Sequence, residues 1–225
     1  MNKYLEEAEK YAREYDREAA GQGYLGPQLL FGLLFEYLAK KDRVLDLAIG
    51  TGLDAALFSK AGSRVYGLDG AAEMLRICRE KRVATELVQA DLLQEPIPYP
   101  DGFFDLSVCN SLFHMIDDPT PIFMETSRVL KEKGIFGFTF DESLDWKSKD
   151  FQSTRLAGVS TMKHPESGMK MYRHTGEFIQ SALQRSGFKT IGRTVFLTFR
   201  GKEETADFYF TACIARKEKL NSSTP

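Results

Sequence analysis

Three stretches of the chain predict an α/β fold built on an open, mostly parallel sheet flanked by helices. The first is Val44-Leu45-Asp46-Leu47-Ala48-Ile49-Gly50-Thr51-Gly52, an apolar run between Lys40-Lys41-Asp42-Arg43 and two glycines. It reads as a buried parallel strand ending in a tight turn. The second is Arg64-Val65-Tyr66-Gly67-Leu68, a strand that ends at Asp69. Asp69 should therefore stand beside the first turn, at the carboxyl edge where open α/β sheets bind ligands. The third is the pair of apolar segments 189–200 and 205–216, separated by Gly201-Lys202-Glu203-Glu204, a hairpin signature that predicts an antiparallel pair.

Taken in order, the amino end carries Tyr4, Ala8, Tyr11, Tyr15 and Ala19 on one helical stripe, with Glu6, Glu7, Lys10, Glu14 and Arg17 toward water. Gly21, Gly23 and Gly26-Pro27 then favour turns. A second helix, Gln28 to Ala39, packs through Leu29, Leu30, Leu33, Leu34, Tyr37 and Leu38. After the glycine turn, where the missing Cβ lets the backbone bend sharply and a ligand come close, Leu53 to Lys60 forms a helix. Its covered face is read as Ala56, Leu57 and Lys60. Ala72 to Glu80 follows Asp69, turning Met74, Leu75 and Cys78 inward, and Glu86 to Ala90 is a third strand ending at Asp91.

Pro96, Pro98 and Pro100 exclude a regular helix or central strand, and they deliver the chain to a fourth strand, Phe103 to Cys109. Asn110-Ser111-Leu112-Phe113-His114-Met115-Ile116 comes next and should share the sheet edge with the glycines. Ordinary packing is the preferred role for at least one of Phe113 and Met115. A helix starting at Asp117-Asp118-Pro119 turns Ile122, Phe123, Thr126, Val129 and Leu130 to the sheet and is expected to stop at Gly134. Ile135 to Phe140 is the fifth strand. Residues 141–174 are polar, interrupted by Ser143, Ser148, Ser153, Gly158, Ser160, Ser167 and Gly168, and longer than a common connection. They read as a substrate-facing cap with short elements. Gly176 to Leu183 is the last helix, and Lys217 to Pro225 reads as a polar tail.

With 225 residues, 43% of them hydrophobic, the chain can bury one substantial core, and a single domain over 1–225 is the economical reading. Its 30 basic against 32 acidic side chains leave a formal net charge of -2, so no global attraction to nucleic acid or anionic membrane follows. The first residues lack a signal-peptide pattern and no apolar run approaches spanning length, which makes a cytoplasmic protein the expectation. Cys78, Cys109 and Cys213 are too scattered for a disulfide framework and have no metal-ligand spacing with His114, His164 or His174. No metal is expected, and the cysteines read as small buried hydrophobes.

An ionised Asp69 can accept from both hydroxyls of a ribose, so a nucleoside-containing cofactor is the first functional expectation. Gly50-x-Gly52-x-x-Ala55 also satisfies a loose dinucleotide fingerprint, whereas no Gly-Lys-Ser/Thr follows to make a Walker loop.

Val44 to Gly52 resembles the first motif of the class I S-adenosylmethionine-dependent methyltransferases, and Gly67-Leu68-Asp69 followed by Ala72-x-Met74-Leu75 resembles their second. Gln89-Ala90-Asp91-Leu92, Phe104-Asp105-Leu106-Ser107-Val108-Cys109-Asn110 and Arg128-Val129-Leu130-Lys131-x-x-Gly134 follow in the family's order. Ala48 stands where the family often has glycine, and Ile49 is bulkier than the usual neighbour. The resemblance implies a Rossmann-like seven-stranded sheet in the order 3-2-1-4-5-7-6 with strand seven antiparallel. It also implies S-adenosyl-L-methionine as cofactor and methyl transfer to a small molecule, as in ubiquinone- and menaquinone-biosynthesis methyltransferases. By the same resemblance, cofactor contacts fall on Asp46, Ala48, Gly50, Gly52, Asp69, Gly70, Met74, Asp91, Leu92 and Asn110. Asp91 would accept from the adenine amine, and Leu92 would lie against the ring. Tyr11 to Asp16 resembles the leading aromatic helix that closes over substrate, so 1–39 is expected to be a helical cap and 141–174 a substrate cap. Tyr11, Tyr15, His114 and Arg173 are the substrate-side candidates. His114 is poised either to exchange a proton near neutral pH or to orient and pack.

Two alternatives stand beside this reading. An NAD-dependent oxidoreductase would use the glycine turn and Asp69 but leaves Asp46, Asp91 and the fourth strand less well explained. A noncatalytic cofactor-binding or interaction protein on the same scaffold is the other. Asn110-Ser111-Leu112 in place of an Asn-Pro-Pro-aromatic run argues against methylation of nucleic-acid amines. The acceptor atom stays open among oxygen, nitrogen, carbon and sulfur, and so does the choice between monomer and homodimer.

Overall fold

A computed structural model describes residues 3–144, 147, 150–164, 167–200 and 207–218. The expected hairpin turn at 201–204, Ser148 of the cap and residues 219–225 of the tail lie outside the described residues.

Two helices open the chain, α1 (Lys3–Gly21) and α2 (Gly26–Leu34). The expected helix to Ala39 gives way to a single 3-10 turn at Phe35–Tyr37. Strand β1 (Arg43–Leu47) leads through the glycine turn to α3 (Leu53–Lys60), and β2 (Arg64–Asp69) leads to α4 (Ala72–Lys81). Strands β3 (Glu86–Gln89) and β4 (Phe104–Cys109), helix α5 (Thr120–Val129) and strand β5 (Leu130–Phe140) complete the parallel part. Then come β6 (Gln152–Ser153), β7 (Val159–Lys163), β8 (Lys170–His174), α6 (Gly176–Arg185), β9 (Phe188–Phe199) and β10 (Phe208–Lys217).

The main sheet runs β3-β2-β1-β4-β5-β10-β9, with β10 antiparallel to both neighbours. That is the order the resemblance implied. Parallel register places Leu47 beside Leu68 of β2 and Cys109 of β4, so the residues following all three strands emerge at one sheet edge. One face is packed by Phe104, Phe113, Phe123, Phe136, Phe138 and Leu183, beneath α5 and α6. The other is packed by Leu30, Leu34, Phe58, Leu75 and Ile214, beneath α2, α3 and α4. Residues 141–174 hold a separate antiparallel sheet, β6-β7-β8, more regular than their composition suggests.

Three local readings are corrected. On α3 the covered residues are Asp54, Ala55 and Phe58, while Lys60 is exposed, because the helix turns its first acid toward the glycine turn. Lys217 closes β10 and donates to the Leu130 carbonyl at 2.8 Å, so the strand runs on where a tail was expected. Gly134 does not stop α5: the helix ends at Val129 and the chain passes directly into β5, whose pairing slips between Phe104↔Leu130 and Leu106↔Ile135. Lys133 carries the left-handed conformation there, φ 63°. Gly134 is needed for space, since a Cβ would sit 2.8 Å from the Lys131 carbonyl oxygen and 3.2 Å from that of Asp105.

These two neighbours should therefore respond oppositely. Gly134→Ala is expected to cost about 1–3 kcal/mol in urea unfolding, because backbone must move. Lys133→Gly is expected to be neutral or to stabilise by up to ~1 kcal/mol, as the left-handed strain is relieved. A Lys133→Gly variant destabilised as much as Gly134→Ala would refute the division of roles.

Candidate active site

The site grows from the turn after β1. Ala48, Gly50 and Gly52 take φ of 54°, 54° and 86°, so the backbone enters the left-handed region three times in five residues. At Gly52 both conformation and space demand glycine, since a Cβ would lie 2.7 Å from Cys78 Sγ and 2.9 Å from Val83 Cγ2. Asp69 holds this turn in place. Its Oδ2 accepts from the Gly50 N–H at 2.9 Å and its Oδ1 from the Ala71 N–H at 2.8 Å. Each oxygen keeps a second lone pair for a ligand hydroxyl.

Asp46, Asp54 and Asp69 gather around the turn, only 2%, 8% and 8% exposed. Burial lifts all three carboxyls. Asp46 stands well above the ordinary carboxylate range, with repulsion from Asp54 and Asp69 added to its desolvation. Asp54 is pushed up to about 7 in spite of the Asn110 amide. Asp69 is raised in spite of the backbone N–H donors of Ala71, Gly50 and Gly70. Asp46 Oδ2 is buried with no hydrogen-bond partner among the described residues. Such a basin repels a further anion and favours a cation.

A chain of hydrogen bonds crosses the carboxyl ends of β4 and β5. Tyr24 Oη and Ser111 Oγ are 2.7 Å apart, the Ser111 N–H donates to Thr139 Oγ1 at 2.8 Å, and Thr139 donates to Asn110 Oδ1 at 2.8 Å. Asn110 Nδ2 then donates to Asp54 at 3.1 and 3.3 Å.

Helix α1 lies over the turns. Leu5 fills the space where Gly70 lacks a Cβ. Glu9 caps α4 from outside, accepting from the N–H groups of Ala72 at 2.6 Å and Glu73 at 2.7 Å, which no side chain of α4's own N-cap satisfies. Asp16 accepts from the Thr51 hydroxyl at 2.5 Å and pairs with Lys81. Tyr15 packs beside Ala12, Ala71 and Met74, and burial together with the nearby Asp54 raises its phenol.

The other expected residues distribute as follows. Met74 is buried beside Gly50. Asp91 closes its own turn with one oxygen, accepting from the Leu93 N–H at 3.0 Å, and Leu92 packs against the core edge. His114 sits in a 3-10 turn, Phe113–Met115, its ring 5.1 Å from that of Phe210 and its Nδ1 buried without a partner among the described residues. Burial lowers it to about 4, so the ring is neutral near pH 7. Arg173 is tied to Asp141 at 2.9 Å and lies over the Phe151 ring, and Lys147 holds the other Asp141 oxygen at 2.5 Å. Tyr11 is exposed, donates to Glu18 at 2.7 Å and meets the Tyr15 ring edge-on with centroids 5.8 Å apart. The sequence reading missed Asp54, Tyr24, Ser111, Thr139, Glu9 and Asp16. Only Asp54, an acid in the first turn after the glycines, carries a local signal.

No helix among the described residues is long and apolar enough to cross a membrane. No group of three or more acidic, His or Cys side chains among them could hold a metal.

Compared with known proteins, residues 45–138 match a family described as a methyltransferase domain. An uncharacterized chloroplastic methyltransferase of Arabidopsis thaliana is 29% identical over 173 residues, 69% of this chain and 49% of that protein. A malonyl-[acyl-carrier protein] O-methyltransferase of Legionella pneumophila is 29% identical over 180 residues, 76% of this chain and 56% of that protein. The chain thus spans about half the length of these curated relatives. A crystal structure of a SAM-dependent methyltransferase from Methanosarcina mazei superposes with a TM-score of 0.68 at 20% identity, covering 83% of this chain and 97% of that one.

The raised carboxyls set the pH dependence of the ligand-free protein. The folded state keeps these protons to higher pH than the unfolded chain, so their stability contribution is full below pH ~4 and is lost as pH rises through the folded values, which for Asp54 is about 7. Asp46→Asn and Asp54→Asn should each flatten that slope and stabilise the protein at pH 8 by roughly 1–3 kcal/mol in urea unfolding. A slope unchanged in both variants would remove the basin from the account.

Proposed function

We propose S-adenosylmethionine-dependent methyl transfer to a small-molecule acceptor for this chain, whose residues 45–138 match a methyltransferase domain. The observation that carries this reading is the sign of the site. A dinucleotide would bring its pyrophosphate to the glycine turn and the start of α3, where Asp46, Asp54 and Asp69 are buried. A sulfonium and an ammonium suit that basin, and the spare lone pairs of Asp69 suit a ribose. Asp46, Ala48, Gly50, Gly52, Gly70, Met74 and Asn110 would surround the cofactor, with Asp91 and Leu92 toward its base. The names of the Legionella and Methanosarcina proteins support the same class of chemistry.

When bound, the cofactor supplies an activated methyl group, so the chain needs no nucleophile of its own. Its residues have to align the acceptor and exclude water. Tyr15 stands on the basin side of α1. His114, neutral and with no partner for Nδ1 among the described residues, is suited to accept a hydrogen bond from the acceptor rather than to serve as an acid near pH 7. The sheet β6-β7-β8 stands beside the His114 turn through β8, and helices α1 and α2 supply the rest of the cover. With a net charge of -2, a small acceptor is favoured over nucleic acid, and a soluble cytoplasmic enzyme is in keeping with the chain's character.

Calorimetry separates the readings. S-adenosylmethionine and S-adenosylhomocysteine should bind saturably and NADH should not; selective binding of NADH would overturn the proposal. Asp69→Asn should weaken S-adenosylhomocysteine by about 10- to 100-fold, the loss of roughly 1.5–3 kcal/mol expected for a charged acceptor. For an acceptor found by screening labelled methyl transfer into cell metabolites, His114→Ala should lower turnover by a factor nearly constant from pH 6 to 9. A defect that changes steeply with pH would instead make His114 an acid or base.

A further inference from the structure

The basin's hydrogen bonding depends on a residue outside every motif that suggested it. Thr139 lies on β5, fully buried, where its Oγ1 sits between two neighbours of β4's end: it accepts from the Ser111 N–H and donates to Asn110 Oδ1, both at 2.8 Å. With its one proton spent on Asn110 and Ser111 supplying the donor it receives, the hydroxyl fixes which end of the amide is which. Turned the other way, Asn110 would aim its carbonyl oxygen at the Asp54 carboxylate. Ser111 is itself held by Tyr24 and takes a left-handed φ of 55°. We propose that Thr139 is a positioning residue for cofactor binding: it locks the Asn110 amide so that Nδ2 faces Asp54, and thereby gives that carboxylate the hydrogen-bond donor that eases its ionisation when the cofactor's cationic end is bound. The cofactor part of this inference rests on the function proposed above.

The groups facing Asp54 set what a titration would report. They are Asp46 from β1, Cys109 from β4, Tyr15 from α1 and Tyr24 from the turn before α2, with Asp69 of β2 facing Asp46 and Tyr15. None of the five is a cation, so beside Asp54's own backbone N–H the Asn110 amide is the favourable side-chain partner whose loss should show. Removing it raises the carboxyl, the sign opposite to that of losing an anionic neighbour.

The test uses the full chain without ligand, labelled with carbon-13 at its carboxyl groups, with the Asp54 resonance assigned through Asp54→Asn. In Thr139→Val, which keeps shape and loses the hydroxyl, the Asp54 midpoint should move up by about one pH unit, the tenfold that a hydrogen bond to a charged group is worth. S-adenosylhomocysteine should bind about tenfold more weakly at pH 8. Thr139→Ser should restore both to within about twofold of the parent protein, because it returns the hydroxyl. An Asp54 midpoint unmoved in folded Thr139→Val overturns the proposal. Should that variant not fold, Asn110→Ala removes the amide directly and should give the same upward shift; an unmoved midpoint there overturns it equally. Failure of the parent protein to bind S-adenosylhomocysteine would defeat the cofactor reading and with it the binding role, while the titration still judges the Thr139–Asn110–Asp54 lock by itself.

Discussion

The arrangement depends first on one carboxylate spanning two backbone turns. Asp69 joins the N–H of Gly50, after β1, to the N–H of Ala71, before α4. Parallel pairing of Leu47 with Leu68 brings those turns side by side but leaves their N–H groups without strand partners. A buried N–H without an acceptor costs about as much as a lost hydrogen bond. Two donors at fixed spacing suit a carboxylate better than any neutral side chain, since it offers two acceptors and no donor. With the turns fixed, Gly52 can lie against Cys78 and Val83 without a Cβ, Met74 can lie under Gly50, and α1 gains a floor for Leu5, Tyr15 and Asp16.

The same clamp creates the electrostatic problem that defines the site. Asp69, Asp46 and Asp54 are buried within reach of one another, and among the described residues only Asn110 and backbone N–H groups relieve them. A fold selected for stability alone would replace at least Asp46, whose outer oxygen finds no partner among the described residues. Buried ionisable groups with raised carboxyls mark functional sites more often than structural ones. Here their common sign restricts the ligand end that can enter. A cation would neutralise the repulsion, and an ammonium would also supply the missing donor, so the sign of the basin argues for a cationic ligand more sharply than the glycine turn does.

Much of this was legible because it is local. A buried strand, its glycine turn and the acid ending the next strand occupy contiguous residues, and apolar runs of strand length survive any uncertainty about neighbours, so β1, β2 and β4 could be read, while the order of the sheet came from the family resemblance. The helix faces were harder. On α1 the covered side carries Glu9 and Asp16, drawn inward by the N–H groups of Ala72 and Glu73 and by the Thr51 hydroxyl. A hydrophobic stripe therefore misplaced Tyr11. Asp54 misled on α3 for the same reason, since the covered face begins with an acid. Gly134 looked like a helix stop because glycine is common there, but the space it yields is claimed by two carbonyl oxygens of the β4–β5 slip. The bond series from Tyr24 through Ser111, Thr139 and Asn110 to Asp54 joins four separate elements, and no spacing along the chain announces it.

How α1 is fastened bears on how a ligand gets in. Its apolar anchor is small, chiefly Ala12 against Ala71 and Met74, and its ion pairs with Glu73 and Lys81 are solvent-facing. Exposed pairs contribute roughly 0–1 kcal/mol each. At its amino end, Tyr4 donates to the Lys170 carbonyl at 3.0 Å and Lys3 to that of Ser167 at 3.3 Å, both on the polar segment that follows β7. At its other end, the Arg200 N–H reaches the Gln22 carbonyl at 3.2 Å, and Tyr24 stacks on Phe199 at 4.7 Å. The firmest fastenings are therefore the stack at the carboxyl end and, along the helix, Glu9 on the Ala72 and Glu73 N–H groups, Asp16 on Thr51 and Leu5 over Gly70, and the lightest is the pair of carbonyl contacts at the amino end. Local opening draws on the least stable parts of a fold. A helix held through its middle and at Tyr24 would yield first at its amino end, parting from the Lys170 and Ser167 carbonyls without disturbing a sheet whose core residues are fully buried.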